Sequence, residues 1–354
     1  MVIISFLIQK SKSTLFFFLG CFFGFAQIPA YYDPANLNTT GENLKVQLAQ
    51  LITETQFAVL SYTPGVWNAL KLCDVAPENS SRVLLLYGYN DNDGQFISDR
   101  TRNINSTCNN SNCFGFWNRE HVFPRSLGNP NLGYEGPGSD AHHLRPTDFE
   151  MNSLRSNRRF TSGSGNAGVV GSLFYPGDEW KGDVARMVMY MYLRYGFQTL
   201  PNNVGSGSSS ISPLNDMPNI FLQWNAEDPP AAHELTRNNV LENLQGNRNP
   251  FIDNPYLATL IWGGPTAQDN WDLLSIQEQI LETISVYPTS TQDFIQFSDP
   301  KNVTMTFEIF ALNGQKMCEG PTATRINLSN FEKGFYFLKI NIEDSFKVFK
   351  IIKE

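Results

Sequence analysis

The hydrophobic pattern changes at about Ser285, and this change most constrains how the chain can fold. Before Ser285, apolar residues recur at spacings of three and four, which is typical of amphipathic helices. After it, short runs alternate apolar and polar residues between glycine turns, as in antiparallel strands; these runs are Met305–Ala311, Gly334–Ile342 and Phe346–Ile352. We therefore predict an α+β domain with a helical majority over residues 28–284 and a small all-β sandwich domain over residues 285–354.

Within residues 28–284, apolar spacing predicts several helices and one strand. The predicted helices span Glu42–Phe57, Asp183–Tyr195, Ala231–Leu244 and Asn270–Ile284, and the predicted strand spans Val83–Tyr89. A stretch rich in Ser and Gly at residues 202–212 is predicted to be a loop.

The N-terminus has the pattern of an export signal. Two lysines precede an apolar run over Leu15–Phe25, and a small residue, Ala26, follows it. A membrane anchor is the alternative, but the run is shorter than the roughly 20 residues that cross a bilayer. A lipoprotein signal at Cys21 is a second alternative, which the continuation of the apolar run past Cys21 disfavours. We predict a signal peptide over residues 1–27 and no membrane span in the mature chain.

An exported chain can form disulfides, so the spacing of its cysteines is informative. Cys108 and Cys113 enclose only four polar, turn-forming residues, which predicts a local bridge between them. A zinc site at this pair would need two further ligands, and the flanking sequence offers none. Cys73 lies among apolar residues and is predicted to be a buried thiol.

The charge distribution limits how the protein can bind anions. The formal net charge is −8, and residues 28–284 contain 26 acidic and 16 basic side chains, 13 of which are arginines. Such a field disfavours binding of nucleic acid or an acidic membrane through overall attraction. Arginine suits planar, bidentate contacts with phosphate, so an anion site must be local and built from arginines.

Residues with catalytic chemistry concentrate in residues 118–160. The first cluster places Glu120 beside His121, which combines a hard oxygen ligand with a base that is neutral near pH 7. The second cluster contains Asp140, His142 and His143, and a third, over residues 152–159, contains two asparagines and three arginines without an acid. If the third cluster is helical, Asn152, Arg155 and Arg159 share one face.

Taken together, these clusters resemble the bacterial endonuclease I family, whose members are ββα-metal (His-Me finger) nucleases. The matching stretches are Arg119–Pro124, Ser139–Pro146, Asn152–Asn157 and Gln245–Asp253. The resemblance implies a ββα-metal core within an α+β fold and hydrolysis of phosphodiester bonds. It also implies Mg²⁺ as the cofactor, with Ca²⁺ or Mn²⁺ as alternatives.

The resemblance also implies a role for each matching residue. His121 would be the general base, Glu120 and Asn152 would be the metal ligands, and nearby arginines would bind phosphate. The candidates for contact with the scissile phosphate are Arg125, Arg155 and Arg159. We expect Asp140, His142 and His143 to lie behind His121 and orient it, and direct participation of the two histidines in catalysis is the alternative. Because successive strand residues point to opposite faces, we expect a bulge or turn that lets Glu120 and His121 face one metal. His233, for which no partner is evident, is expected to be structural.

Residues 285–354 resemble the C-terminal sorting domain of type IX secretion in Bacteroidetes. The matching residues are Val286–Pro288, Ile309–Gly314, Leu328–Ser329, Lys333–Phe337 and the basic terminus Lys350–Lys353. The resemblance implies the type IX secretion machinery as a partner, passage through the periplasm, and a secreted or cell-surface location. The alternative is a carbohydrate-binding or adhesive β-sandwich.

These observations predict an exported, Mg²⁺-dependent endonuclease of little sequence preference. DNA is the expected substrate, with RNA as a second candidate, and no base-reading module is recognisable. One alternative is a surface binding or adhesive protein with an inactive nuclease-like domain. Another is a zinc hydrolase using His121, His142 and His143, although the ligand spacing of known zinc motifs is absent.

Overall fold

The computed structural model describes residues 27–108, 110, 112–273, 283–298, 305–321, 325–342 and 345–354. The predicted signal peptide and most of the predicted helix Asn270–Ile284 lie outside the described residues. The helices are α1 (Gly41–Glu54), α2 (Trp67–Cys73), α3 (Phe149–Arg155), α4 (Lys181–Tyr195), α5 (Asn219–Glu227), α6 (Ala232–Gln245), α7 (Pro250–Asp253) and α8 (Tyr256–Trp262). No helix among the described residues is long and apolar enough to cross a membrane.

Strands before residue 273 form small sheets among the helices. They are β1 (Val75–Ala76), β2 (Asn79–Leu84), β3 (Thr101–Asn103), β4 (Trp117–His121), β5 (Leu144–Asp148), β6 (Gly168–Val170) and β7 (Leu173–Tyr175). β1, β2 and β3 form one sheet in that order, and β4–β5 and β6–β7 form two-stranded antiparallel ribbons. The α+β fold with a helical majority is confirmed.

Helix α4 runs through the main apolar core of this domain. Every residue from Gly182 to Leu193 is buried, because α1, α5 and α7 all pack against it. The predicted apolar stripe is therefore part of a helix that is enclosed on all sides. Two buried charged residues, Asp183 and Arg186, also lie on this helix.

The predictions for helices were more accurate than the prediction for the strand. Helices α1, α4 and α6 confirm the predicted positions, with bounds that differ by at most three residues. The predicted strand Val83–Tyr89 is wrong in its extent, because β2 ends at Leu84. Leu85 and Leu86 are nonetheless fully buried, and their amides donate to the carbonyls of Arg100 and Pro146. The continuous apolar run in this segment therefore predicts burial correctly, but it does not predict where the strand ends.

A ββα unit is formed by β4, β5 and α3. The two strands pair in antiparallel register from Trp117 opposite Asp148 to His121 opposite Leu144, with no shift. The predicted bulge at Glu120 and His121 is therefore wrong. Asp148 begins α3 by accepting hydrogen bonds from the amides of Glu150 and Met151, at 2.8 and 3.1 Å.

A buried polar network fixes the segment between β4 and β5 against the helices. Gln245 accepts a hydrogen bond from the amide of Ala141 at 2.8 Å and donates to Asp140 at 3.0 Å. Asn247 donates to Tyr190 Oη at 2.8 Å, and Tyr190 donates to Asp140 at 2.8 Å. These hydrogen bonds connect the stretch Gln245–Asp253 to the segment that contains His142 and His143.

Residues from 284 onward form two sheets around a separate core. The strands are β8 (Ser285–Tyr287), β9 (Ser290–Thr291), β10 (Phe294–Ser298), β11 (Thr306–Ala311), β12 (Lys316–Pro321), β13 (Arg325–Asn327), β14 (Gly334–Ile342) and β15 (Ser345–Lys353). One sheet has the order β13-β10-β8, and the other has the order β12-β11-β14-β15-β9. Buried residues of both sheets share one apolar cluster, which contains only residues from Ile284 onward.

The cysteine predictions agree with the structure. Cys108 and Cys113 form a disulfide, with their Cα atoms 5.6 Å apart. Cys73 is a free, buried thiol, and burial raises its pKa above the usual value.

We predict that Gln245→Leu lowers the free energy of unfolding by about 1–3 kcal/mol, because it leaves the buried amide of Ala141 without its acceptor and removes one of the two hydrogen bonds to Asp140 Oδ1. Urea unfolding of the variant and its parent measures this difference. Gln223→Leu is the matched control, since Gln223 is exposed and bonds only across one helical turn to Glu227. Equal losses in the two variants would contradict the structural role of Gln245.

Candidate active site

His121 lies at the end of β4, where its ring orientation is fixed. Its Nε2 is 2.9 Å from the carbonyl oxygen of Gly138. Because a carbonyl can only accept, Nε2 carries the proton and Nδ1 keeps its lone pair. Burial lowers the pKa of His121 well below its usual value, and the neighbouring His143 lowers it further. The imidazole is therefore neutral near pH 7 and can accept a proton at Nδ1.

Glu120 points to the other face of the strand and is almost fully buried, with 2% of its surface exposed. Its Oε1 accepts a hydrogen bond from Tyr87 Oη at 3.0 Å and pairs with Arg155 at 3.2 Å. Burial raises the pKa of Glu120 to about 7, while Arg155 and Tyr87 act in the opposite direction. A carboxylate in this setting gains stability in its charged form from any further cation beside it.

Asn152 lies on α3, across from β4. Its Nδ2 donates to Asn118 Oδ1 at 2.7 Å and to the carbonyl of Arg119 at 3.3 Å. These two acceptors orient the side-chain amide, so the nitrogen faces β4 and the oxygen is left for another ligand. The regular ββα geometry thus presents an amide oxygen from the helix near the two strand residues.

One cavity of about 580 Å³ brings most of the predicted site residues together. Its lining includes Glu120, His121, Asn152, Arg125 and Arg155. Both strand residues reach this cavity from a regular strand, because β4 ends at His121 and the cavity lies at that end. The expected bulge was therefore unnecessary.

Two of the three arginines predicted to bind phosphate are used elsewhere. Arg155 borders the cavity but is fully buried, and it donates to the carbonyls of His121 and Val122 at 3.0 and 2.7 Å. Arg159 does not line the cavity, because α3 ends at Arg155 and Ser156 adopts a φ of 52°. The Arg159 guanidinium instead donates to the carbonyls of Asn202 and Gly205.

The residues predicted to orient His121 divide into two groups. His143 lies beside it, with ring centroids 5.5 Å apart, and its Nε2 is 2.8 Å from the carbonyl of Pro137. His142 points to the carbonyl of Asn247, and Asp140 accepts hydrogen bonds from two tyrosines. The three imidazoles do not converge, so the arrangement gives no support to the zinc hydrolase alternative.

A second group of ligand-type residues lies in the same domain. The side-chain donor atoms of Asp183, His233 and Glu234 all lie within 4.8 Å of one another, a set that a metal ion can use. Arg145 pairs with Asp183 at 2.8 Å, and Arg186 pairs with Glu234 at 2.7 Å. Two guanidiniums therefore already compensate the charge of these carboxylates. The partner of His233, which was not evident from the sequence, is Asp183, at 3.1 Å from its Nε2.

Sequence reasoning missed several residues at the cavity. Tyr87 supports Glu120 from a segment without regular structure, and Tyr134 lines the cavity from a loop. Arg119 also lines it, and its guanidinium lies 3.5 Å from the ring centroid of Tyr62. For Tyr134 the available signal was an aromatic residue close to two glycines, because loop residues often take part in binding. Tyr62 gave no such signal, since it is half-buried and begins the short helix Tyr62–Val66.

Comparison with known proteins places this geometry in a family. Residues 40–256 match the family model Endonuclease I, and residues 285–354 match the model Secretion system C-terminal sorting domain. The chain is 39% identical over 249 residues to an extracellular ribonuclease of Bacillus subtilis (strain 168), which covers 67% of this chain and 80% of that protein. It is 38% identical over 248 residues to an extracellular ribonuclease of Bacillus amyloliquefaciens, covering 67% of this chain and 79% of that protein.

A more distant relative is a periplasmic deoxyribonuclease of Aeromonas hydrophila, with 27% identity over 125 residues, 32% of this chain and 47% of that protein. The first family model matches more than half of the chain, and the second accounts for the all-β domain and for secretion. The chain therefore belongs to the endonuclease I family, as a secreted nuclease that hydrolyses phosphodiester bonds and carries a C-terminal sorting domain.

Proposed function

We propose that the protein is a Mg²⁺-dependent endonuclease of little sequence preference that cuts DNA and RNA, with His121 as its general base. The observation that carries this proposal is the hydrogen bond between His121 Nε2 and the Gly138 carbonyl. It leaves Nδ1 of a neutral imidazole as the proton acceptor, in the same cavity as Glu120 and Asn152. His121 takes a proton from water, and the resulting nucleophile attacks phosphorus in line with the leaving oxygen. The bond between phosphorus and the leaving oxygen breaks, and that oxygen takes a proton from a water molecule.

Glu120 and Asn152 fit a hard divalent cation. One carboxylate and one amide oxygen are sufficient, because Mg²⁺ keeps most of its water ligands and uses few protein oxygens. Arg155 compensates Glu120 from the buried side, and the hydrogen bonds of the Asn152 nitrogen leave its oxygen for the cation. When bound, the cation supplies charge neutralisation at the phosphate and the leaving oxygen. Ca²⁺ and Mn²⁺ suit the same oxygen donors.

Arg125, together with Arg119, is our candidate for binding the substrate phosphates. Both line the cavity, and Arg119 is half-buried and also donates to the carbonyl of Tyr62. Arg155 is fully buried and bonds to the backbone and Glu120, and Arg159 lies outside the cavity. Arg155 is thus proposed as a positioning residue, as are Asp140, His142 and His143. The named relatives include ribonucleases and deoxyribonucleases, which supports a substrate range covering both nucleic acids. With Glu120, His121 and Asn152 all present, we do not retain the inactive, adhesive alternative.

We propose the domain division 1–27, 28–284 and 285–354 for the signal peptide, the nuclease and the sorting domain. The separate apolar clusters before and after Ile284 support independent folding of the last two. The glutamate, histidine and asparagine of the site all precede residue 285. The sorting domain is therefore proposed to direct export and to contribute no catalytic group.

We predict that His121→Ala and His121→Gln each lower the turnover of plasmid DNA by at least about 10²-fold, because general base catalysis contributes roughly 10²- to 10⁴-fold. The amide introduced by His121→Gln could still donate to the Gly138 carbonyl but could not take a proton. Initial rates of plasmid digestion, with circular dichroism as the control for folding, measure the effect. A rate equal to that of the parent in either folded variant would remove His121 from the role of base.

We predict that Glu120→Gln and Asn152→Ala raise the Mg²⁺ concentration for half-maximal activity by roughly tenfold or more, since the first replaces a charged carboxylate ligand with a neutral amide and the second removes an amide oxygen. A Mg²⁺ titration after treatment with a chelator measures this concentration. Ser153→Ala is the matched control on the same helix, because its hydroxyl bonds only to the carbonyl of Phe149. If both variants titrate like Ser153→Ala, the metal site lies elsewhere.

A further inference from the structure

A row of aromatic and guanidinium groups leads from His121 to the edge of the cavity. The ring of Tyr62 is stacked beside His121, with centroids 5.6 Å apart and planes inclined by 25°. The ring of Tyr134 follows, 5.1 Å from Tyr62. Arg119 lies over Tyr62 at 3.5 Å from its centroid, and Arg125 lies over Tyr134 at 3.8 Å. We call Tyr62, Tyr134, Arg119 and Arg125 the aromatic rim.

Tyr134 is the exposed end of the aromatic rim. It keeps 56% of its surface exposed although Arg125 covers part of the ring. Arg125 Nη2 is 3.2 Å from Tyr134 Oη, which holds the guanidinium and the ring together. This tyrosine presents a flat, exposed ring at the edge of a polar cavity. Because the ring is already held in one orientation, it loses little conformational entropy when a ligand binds.

The charge of the domain makes such a surface useful. Residues 28–284 have ten more acidic than basic side chains, so their overall field repels a polyanion. Within the cavity, Glu120 partly compensates Arg155, which leaves Arg119 and Arg125 as the main positive groups on its lining. Two guanidiniums are few for a protein that must hold nucleic acid. Contact with the bases adds affinity that does not depend on net charge.

We infer that Tyr134 is a stacking platform for an unpaired nucleobase beside the scissile phosphate, so that the enzyme selects single-stranded or locally unpaired nucleic acid. This inference rests on the proposed function, because it places the scissile phosphate between His121 and the aromatic rim. Arg125 binds a flanking phosphate while the ring of Tyr134 binds the base. Every base has a flat face, so this contact favours unpaired strands without favouring a sequence.

A base within a duplex cannot readily stack on Tyr134. The bases of a duplex are already stacked on each other, and exposing the face of one base requires local unstacking, which costs free energy. Single-stranded DNA and RNA offer base faces at no such cost. The selection therefore concerns the pairing state of the substrate, not the sugar.

The test compares Tyr134→Ala, Tyr134→Phe and a distant control, Phe114→Ala. Phe114 is also an exposed aromatic residue, but it precedes the opposite end of β4 from His121. The substrates are a single-stranded oligonucleotide of about twelve nucleotides, its duplex, and a single strand of the same length in which every base is replaced by an abasic spacer. The kcat and KM of cleavage with Mg²⁺ are measured for each pair.

We expect Tyr134→Ala to raise KM for the single strand by about 5- to 100-fold with kcat little changed, because base–aromatic stacking has this magnitude. The rise in KM for the duplex should be smaller. For the abasic strand, Tyr134→Ala and the parent should have the same KM. Tyr134→Phe keeps the ring but loses the hydroxyl that contacts Arg125, so its KM for the single strand should rise less than that of Tyr134→Ala. Phe114→Ala should stay within about threefold of the parent. An unchanged KM in Tyr134→Ala, or an equal rise on the abasic strand, would overturn the inference.

Binding in the absence of cleavage separates this inference from the proposed function. Fluorescence anisotropy with the same oligonucleotides in chelator measures affinity when no strand is cut. If the parent cleaves nothing with Mg²⁺, the proposed function fails, yet weaker binding of the single strand by Tyr134→Ala would still support the platform. Equal binding by the parent and Tyr134→Ala would overturn it.

Discussion

The buried contacts of Arg155 hold the two halves of the ββα unit together. Its guanidinium pairs with Glu120 and donates to the carbonyls of His121 and Val122, so one side chain on α3 fixes the end of β4. Breaking a buried charge pair by removing one partner costs about 3–5 kcal/mol, because the other charge is left uncompensated. The relative position of the helix carrying Asn152 and the strand carrying Glu120 and His121 depends on this residue.

The regular geometry of β4 divides the chemistry between two faces. Glu120 points inward to Tyr87 and Arg155, where burial raises the pKa of its carboxyl group. His121 points to the Gly138 carbonyl, where burial keeps its imidazole neutral. The strand therefore presents a buried carboxyl group whose charged form a nearby cation would stabilise and, next to it, an imidazole that resists protonation. Burial acts on both residues, but in opposite directions on their pKa values, as expected for an acid and a base.

Much of the fold and the centre of the site could be predicted from the sequence, because they depend on local patterns. Apolar spacing located α1, α4 and α6, and the family resemblance of the clusters around Glu120, His121 and Asn152 implied the ββα unit. The roles of Arg155 and Arg159 were not predictable, because a single residue, Ser156 with its φ of 52°, ends the helix between them. The aromatic rim was missed for a related reason, since Tyr62 and Tyr134 approach each other only through the tertiary fold.

The central claim is that His121 is a neutral base whose Nε2 carries the proton and whose Nδ1 is available for catalysis. Nitrogen-15 NMR of the histidine side chains in the intact protein tests this most directly, because the two ring nitrogens differ in chemical shift according to which is protonated. The account predicts that at pH 7 Nε2 of His121 is protonated and Nδ1 is not. A protonated Nδ1, in either the opposite tautomer or the imidazolium, would contradict it.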